Sequence, residues 1–463
     1  MHITKTSHPV NHIERLRQQF ALLGQDTFCK ALGSDQVEQI LREEVGPYRQ
    51  RIYPPMVTLR LFIDQILSPD AACQDAVGRR LSQRAADNQS PCSLNSGPYC
   101  KARRRMVLRL PQRLCKHLGH SLESAAAKLW GWRGRSIKIF DATTVSMPDT
   151  ASNQQAWPQS RTQDKGLGFP MVRIGVLISL ASGCVMDYAL GPLRGKGSGE
   201  QALLREVSAS LARGDLLLAD ALHSTWWTLQ MLGALGVDAV MPNDGRRKVD
   251  FKQGRPLGQV DHVVWWPKPK RASWITAQQY QQMPAGIWVR EVLINGRVMV
   301  TTLLDPEQIS ADELALLYPM RWNIEVDFRT LKSTMNMDVL RCKSPQMVQK
   351  EIAVYLLTYN LVRWTMVSAA QLAQVPARSL SFAGARRMIW NFAGHLRKRT
   401  FHDTAYMTAT LLKSIASCVL PKRPSRVEPR AKKRRPKPLP LLTVPRQQAR
   451  DQILATRKLK VVP

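Results

Sequence analysis

Long apolar runs are missing from this 463-residue chain. Its longest uncharged stretches, Ile174–Met186 and Ile352–Val362, fall short of the roughly 20 residues that a membrane-spanning helix needs. The opening MHITKTSHPVNHIERLRQQF lacks the apolar centre of a secretory signal. Eight cysteines occur without one CxxC pair, which argues against a zinc site or a disulfide framework and suits reduced thiols. The histidines show no ligand spacing, and no internal repeat is visible. Acidic residues are scarce: 35 Asp and Glu stand against 67 Lys and Arg, a formal net charge of +32. Because basic residues recur along most of the chain, the surplus is more than a tail effect. It points to polyanionic partners, nucleic acid first and acidic membrane surfaces second. What the chain has in quantity is core-forming material. Hydrophobic residues make up 44%, with twelve Trp, enough for two to four packed domains and too much for a disordered protein.

Residues 1–130 read as mostly helical. DQVEQILREEV and PPMVTLRLFIDQIL carry apolar residues at helical spacing, and Pro54-Pro55 suits a helix entry. The run YCKARRRMVLRLPQRLCKHL holds many basic residues and no acid. Arg105, Arg109 and Arg113 lie four apart and share a face if the helix is continuous, although Pro111 can bend or end it. That face either grips DNA phosphates or is simply solvated. Residues 131–243 change rhythm to β-β-β-α-β-α-β, the pattern of an α/β domain with a mixed sheet. Residues 244–309 hold short β-like runs and turn pairs, and read as a β-rich insertion. Helices return over 310–395, where Ser344-Pro345 is an N-cap followed by Pro at the first helical position. The last segment, 396–463, includes PKRPSRVEPRAKKRRPKPLP, a flexible basic tail suited to nonspecific DNA contact.

Two acids stand at strand ends. Asp141 closes SIKIFD and Asp220 closes DLLLAD. A carboxylate at the C-terminal end of a strand projects beyond the sheet edge, where α/β proteins place their chemistry. Two such acids on neighbouring strands can share a hard divalent cation, although either Asp alone could be an ordinary turn residue. A third acid is found in LYPMRWNIEVDFRTLKS. On an ideal helix Tyr318, Arg321, Glu325 and Lys332 fall within about 60° of arc along roughly 21 Å, while Leu317, Ile324, Phe328 and Leu331 form the adjoining face. A hydroxyl, two cations and a carboxylate would then flank the buried side. Arg321 and Glu325 alone could be a plain i,i+4 pair; the four-residue stripe asks for more. By contrast GKGSGE at 195–200 lacks phosphate-loop spacing and reads as a helix start.

The pattern Y-x2-R-x3-E-x6-K, with DATTVSMPDT around Asp141, GDLLLAD up to Asp220 and TLLDPEQISADELALLYPMRW leading into the signature, resembles that of DDE transposases of the fourth insertion-sequence family. The resemblance spans about residues 130–365. It implies an RNase H-like catalytic core interrupted by the β-rich insertion, preceded by a helical DNA-binding domain and followed by helices and a basic tail. By the same resemblance Asp141, Asp220 and Glu325 coordinate two Mg²⁺ ions, with Mn²⁺ as a substitute. Tyr318, Arg321 and Lys332 grip DNA phosphates; apart from the resemblance, Arg105 and Arg109 of the basic segment are candidates for the same role. The implied partners are double-stranded DNA and a second copy of the chain, in the bacterial cytoplasm and at the nucleoid, with no membrane. The sequence departs from the family at Ala221, Leu222 and His223, where Arg, a small residue and an aromatic are usual. Some members place a strand Trp against a flipped base during a hairpin step, and here Met299 takes that place. Trp288 and Trp266 in the insertion are the stacking candidates, with plain core packing as the alternative for each.

Three functions fit these residues. The first is an insertion-sequence transposase that binds terminal inverted repeats, then cuts and joins DNA. The second is a DNA-binding protein derived from one but catalytically degenerate. The third is a structure-specific nuclease with the same metal chemistry. The complete acid set and the long signature stripe favour the first.

Overall fold

A computed structural model describes residues 34–49, 51–68, 70–195, 197–393, 401–421 and 441–455. The first 33 residues and most of the basic tail lie outside the described residues. Five helices come first: α1 (Ser34–Glu44), α2 (Pro55–Leu67), α3 (Cys73–Ala86), α4 (Gly97–Arg105) and α5 (Arg109–Trp130). Pro54 is extended at the N-cap of α2 and Pro55 follows at N1. The basic segment is not one helix. Arg105 ends α4 and Arg109 begins α5, so the expected shared face of Arg105, Arg109 and Arg113 does not form. Pro111 accounts for the break, since its ring clashes with the preceding turn and is tolerated only near a helix start. Arg113 turns instead to Glu43 and Glu44, while Arg105 and Arg109 stay exposed.

A single nine-stranded sheet follows. Its strands are β1 (Ile137–Ser146), β2 (Met171–Ser179), β3 (Val185–Pro192), β4 (Leu216–Leu218), β5 (Asp238–Pro242), β6 (Arg255–Gly258), β7 (Asp261–Pro267), β8 (Gly286–Ile294) and β9 (Arg297–Thr301). Their spatial order is β3-β2-β1-β4-β5-β9-β8-β7-β6. β4 is parallel to both β1 and β5, and the other pairings are antiparallel. The helices between strands are α6 (Ala151–Ala156), α7 (Glu200–Val207), α8 (Trp226–Ala234) and α9 (Ala277–Gln282). Residues 137–242 thus build the expected order with one extra short helix. The stretch read as a β-rich insertion supplies β6 to β9, which continue the same sheet because β9 pairs with β5. The outermost strand, β6, is four residues long, contains Pro256, and slips register against β7 between Pro256 and Gly258.

Both faces of the sheet are covered. Within β4, Leu217 faces the large core while Leu216 and Leu218 face a second cluster with Leu314 and Leu317, the two-residue alternation a strand imposes. Leu314 and Leu317 belong to α10 (Ala311–Leu317), whose Ser310 and Glu313 form a capping box. Beyond α10 the chain does not continue as one ideal helix. Tyr318–Trp322 is a 3₁₀ turn, Asn323–Arg329 is α11, and Thr330–Thr334 is a π-helical turn. The wheel drawn at 100° per residue therefore fails in detail, since 3₁₀ and π turns wind more tightly and more loosely than α. The later helices are α12 (Pro345–Ala373), α13 (Phe382–Ala393), α14 (Phe401–Ala416) and α15 (Arg446–Ala455). Pro345 starts α12 as expected, but the Ser344 hydroxyl makes no capping bond.

α12 is the central pillar. Its Asn360, fully buried, accepts from the Val185 amide at 2.8 Å and donates to the carbonyls of Val185 and Cys115. α5 passes close enough that a Cβ at Gly119 would strike the Val185 carbonyl. α11 is held to α12 by charge. Asp327, with 0% of its surface exposed, accepts from Arg363 at 2.5 Å, Tyr359 at 3.1 Å and Arg378 at 3.1 Å. The Tyr359 hydroxyl lies closer still, 2.8 Å, to the Gly183 carbonyl in the β2–β3 turn, so its one proton is shared between that carbonyl and Asp327. Truncating one member of such a buried set leaves uncompensated charge, at about 3–5 kcal/mol. Asp327→Ala should therefore lower the unfolding free energy by about that amount in urea titrations, with Asp327→Asn losing less because it still accepts hydrogen bonds.

Candidate active site

Asp141 is not at a strand end but in the middle of β1, opposite Val176 of β2. It is nonetheless free on its other flank, because pairing with β4 covers only Ile137–Ile139. Beyond Ile139 the chain of β4 leaves the sheet, and Asp220 caps the short turn Ala221–His223 by accepting from the Leu222 amide at 3.0 Å. Asp141 and Asp220 are thus brought to one edge by the parting of two parallel strands. The third carboxylate at that edge is Glu200, the first residue of α7. One oxygen from each of Asp141, Glu200 and Asp220 lies within 4.8 Å of the others, the one such acidic group found among the described residues.

Sequence reasoning treated 195–200 as a helix start and passed over Glu200. A Glu in a first helical turn is ordinary because the helix dipole favours it there. The available hint was its position, an acid opening a helix directly after a Gly-rich approach; that helix packs on β1, β2 and β3. Arg173 stands 3.7 Å from Glu200, and Gln201 donates to the Leu222 carbonyl, tying α7 to the Asp220 turn.

Glu325 does not join the group. It is exposed on α11, and its carboxylate makes no hydrogen bond or ion pair among the described residues. Its signature neighbours do reach the acid-bearing strands. Arg321 Nη1 donates to Asp141 Oδ2 at 3.2 Å, Lys332 Nζ reaches the Thr143 hydroxyl of β1 at 3.4 Å, and the Tyr318 hydroxyl donates to the Ala219 carbonyl at 3.4 Å. The uneven winding of the segment thus still delivers three signature side chains to β1 and to the end of β4.

The stacking candidates separate. Trp266 is 2% exposed and its indole N–H donates to Glu291 at 2.9 Å, so its ring is core and has no face to offer a base; that expectation is corrected. Trp288 is 52% exposed and meets Trp265 across the strands with ring centroids 5.1 Å apart. Met299 is buried in β9. Behind Asp220, His223 is buried edge-on to Phe140, and burial holds its pKa down to about 4.

The acids fit a hard divalent cation. All donors are carboxylate oxygens, the kind such ions select. Burial pushes the Asp141 carboxyl up to about 6, the Ala142 amide and Arg321 oppose that rise, and Asp220 and Glu200 add to it. A dication reverses that balance by compensating the crowded negative charge. Below about pH 6 Asp141 holds a proton that a cation must displace, so Mn²⁺ affinity should fall about tenfold per pH unit there. Above pH 6 it should flatten, and Asp141→Asn should remove that dependence in Mn²⁺ titrations between pH 5 and 8.

Residues 132–361 match the family model described as "Transposase DDE domain". The chain is 24% identical over 344 residues to transposase InsG for insertion sequence element IS4 of Escherichia coli strain K12, covering 71% of this chain and 76% of that protein. A shorter likeness joins it to the transposase for insertion sequence element IS421 of Escherichia coli, 37% identical over 67 residues, which is 14% of this chain and 18% of the relative. Among solved structures, a piggyBac transposase synaptic complex with hairpin DNA aligns at a TM-score of 0.40 and 9% identity, over 89% of this chain and 87% of that one, a likeness too loose to fix the fold. The family match and the InsG relative agree with the signature residues: this chain belongs to the DDE transposases of the fourth insertion-sequence family.

Proposed function

We propose that this insertion-sequence transposase binds the terminal inverted repeats of its element and cleaves DNA at an edge site built from Asp141, Asp220 and Glu325, with Glu200 as an additional carboxylate, on an RNase H-like core. The observation that carries this reading is the meeting of the Asp141 and Asp220 carboxylates with a signature segment whose Arg321 already touches Asp141. Mg²⁺ is the proposed cation: Asp141, Asp220 and Glu200 would hold it from where they stand, and Glu325, exposed on α11, is the proposed further ligand. When bound, such ions activate an attacking oxygen and stabilise a leaving one.

The chain's own residues supply binding and orientation. Arg321, Lys332 and Tyr318 stand beside the acids, where a guanidinium can take a phosphate in two parallel hydrogen bonds and an ammonium acts as a point charge. Arg105 and Arg109 are exposed and extend the phosphate contact over the helical part. His223, neutral at ordinary pH because it is buried, backs Asp220 without adding charge. Trp288, with its exposed ring, is the surface available for stacking on an unpaired base in a hairpin step. Two copies acting on two element ends complete the proposed assembly.

The test is cleavage of linear DNA carrying the repeats that flank the gene. With Mg²⁺, 3′-hydroxyl ends should form at the repeat boundary. Asp141→Ala, Asp220→Ala and Glu325→Gln should each lower the rate by roughly a hundredfold or more while repeat binding persists. Repeat-specific binding without cutting in Mg²⁺ or Mn²⁺ would identify a degenerate binder, and cutting indifferent to the repeat would identify a nuclease. Full activity of Glu325→Gln with loss in Glu200→Gln would move the third ligand to α7.

A further inference from the structure

Two positive charges already stand against the acidic group, Arg173 at 3.7 Å from Glu200 and Arg321 against Asp141, and only the second touches an aspartate. Arg321 Nη1 lies 3.2 Å from Asp141 Oδ2, and both side chains are mostly buried, 14% and 16% exposed. The other Asp141 oxygen accepts from the Ala142 amide at 2.8 Å, so neither oxygen lacks a donor. A dication shared by Asp141, Glu200 and Asp220 needs one of those oxygens. A guanidinium at 3.2 Å would then stand beside that ion, where like charges in a partly buried site repel strongly. Lys332 differs in kind: it reaches a neutral hydroxyl, Thr143, and takes nothing from the acids.

We propose that Arg321 and a divalent cation are alternative partners of Asp141, and that a DNA backbone phosphate, by drawing Arg321 to itself, opens Asp141 to the cation. The inference rests on the reading that this site takes cations and DNA. Its chemistry is an exchange of partners with no bond made or broken. Carboxylate and phosphate compete for one guanidinium, and phosphate offers it the bidentate geometry it favours. Arg321 is well placed for such an exchange. It belongs to the short 3₁₀ turn Tyr318–Trp322, between α10 packed on the sheet and α11 anchored through Asp327, so its side chain can turn while both flanking helices stay fixed. Because linkage is reciprocal, DNA must tighten cation binding by the factor by which the cation tightens DNA binding. The device would keep the acids paired with Arg321 until DNA is in place.

The experiment measures Mn²⁺ affinity of the full chain at pH 8, where Asp141 is ionised, by electron paramagnetic resonance of free Mn²⁺, with and without a duplex carrying the element's end. Without DNA, Arg321→Gln should bind Mn²⁺ roughly tenfold more tightly than the unaltered chain, the size of one charge-assisted contact. Arg321→Lys, which keeps the charge, should stay near the unaltered value. Lys332→Gln should change little, because it removes the same unit charge but no contact with Asp141. The duplex should tighten Mn²⁺ binding roughly tenfold in the unaltered chain and hardly at all in Arg321→Gln. Unchanged or weaker binding by Arg321→Gln, or equal tightening by Lys332→Gln, overturns the competition. A duplex without effect on the unaltered chain overturns the coupling. Mn²⁺ binding that is absent, or indifferent to Asp141→Asn, instead brings down the cation reading itself and this inference with it.

Discussion

A buried carboxylate sets the terms for this structure. Asp327 has no exposed surface and is offset by Arg363, Arg378 and Tyr359, which come from α12 and the turn after it. An ion buried this way is expensive unless every partner is present, so α11 has one seat against α12 and one only. Asp327 is two residues from Glu325 and six from Arg321. Fixing it fixes which way the signature segment faces, and the contacts of Arg321 with Asp141 and of Lys332 with Thr143 follow. Tyr359 carries the same restraint to the β2–β3 turn through Gly183, so the antiparallel strand beside Asp141 is tied to the same cluster.

Against this fixed frame the acids are assembled by topology. β1 outruns its parallel partner β4 after Ile139, and Asp220 and Glu200 come together with Asp141 there. Burial is the main reason the Asp141 carboxyl titrates high, and the closeness of Asp220 and Glu200 adds an unfavourable repulsion to it. The fold tolerates it because the site is shaped for positive charge. Binding of cations and phosphates and the stability of this corner are therefore parts of one balance, with neutral His223 behind it adding nothing to the repulsion.

Much of this was legible in the sequence where local patterns decide. The strand and helix order of 137–242 followed from alternation, glycine turns and capping residues, and Asp141, Asp220 and the signature spacing announced themselves. What was hidden depended on neighbours distant in sequence. Glu200 looks like any helix-opening glutamate until β1 and β4 part beside it. Trp266 and Trp288 sit on adjacent strands of one hairpin, and which of them is core is settled by Glu291 receiving the Trp266 indole. Arg105 and Arg109 seemed to share a helix because a four-residue step says so, but one proline ends that step. The basic tail, so evident in composition, lies outside the described residues. Ideal helical geometry misjudged Tyr318–Lys332, where successive turns wind differently: Tyr318, Arg321 and Lys332 turn to β1 and the end of β4, while Glu325 stays exposed.

The far edge of the sheet has its own consequence. A nine-stranded sheet ends in unpaired backbone groups, which invite another chain to add a strand and start a fibre. β6 discourages this by being only four residues long, by including Pro256, which offers no N–H, and by slipping register against β7. That irregular backbone makes this edge a poor template for a second copy of the chain.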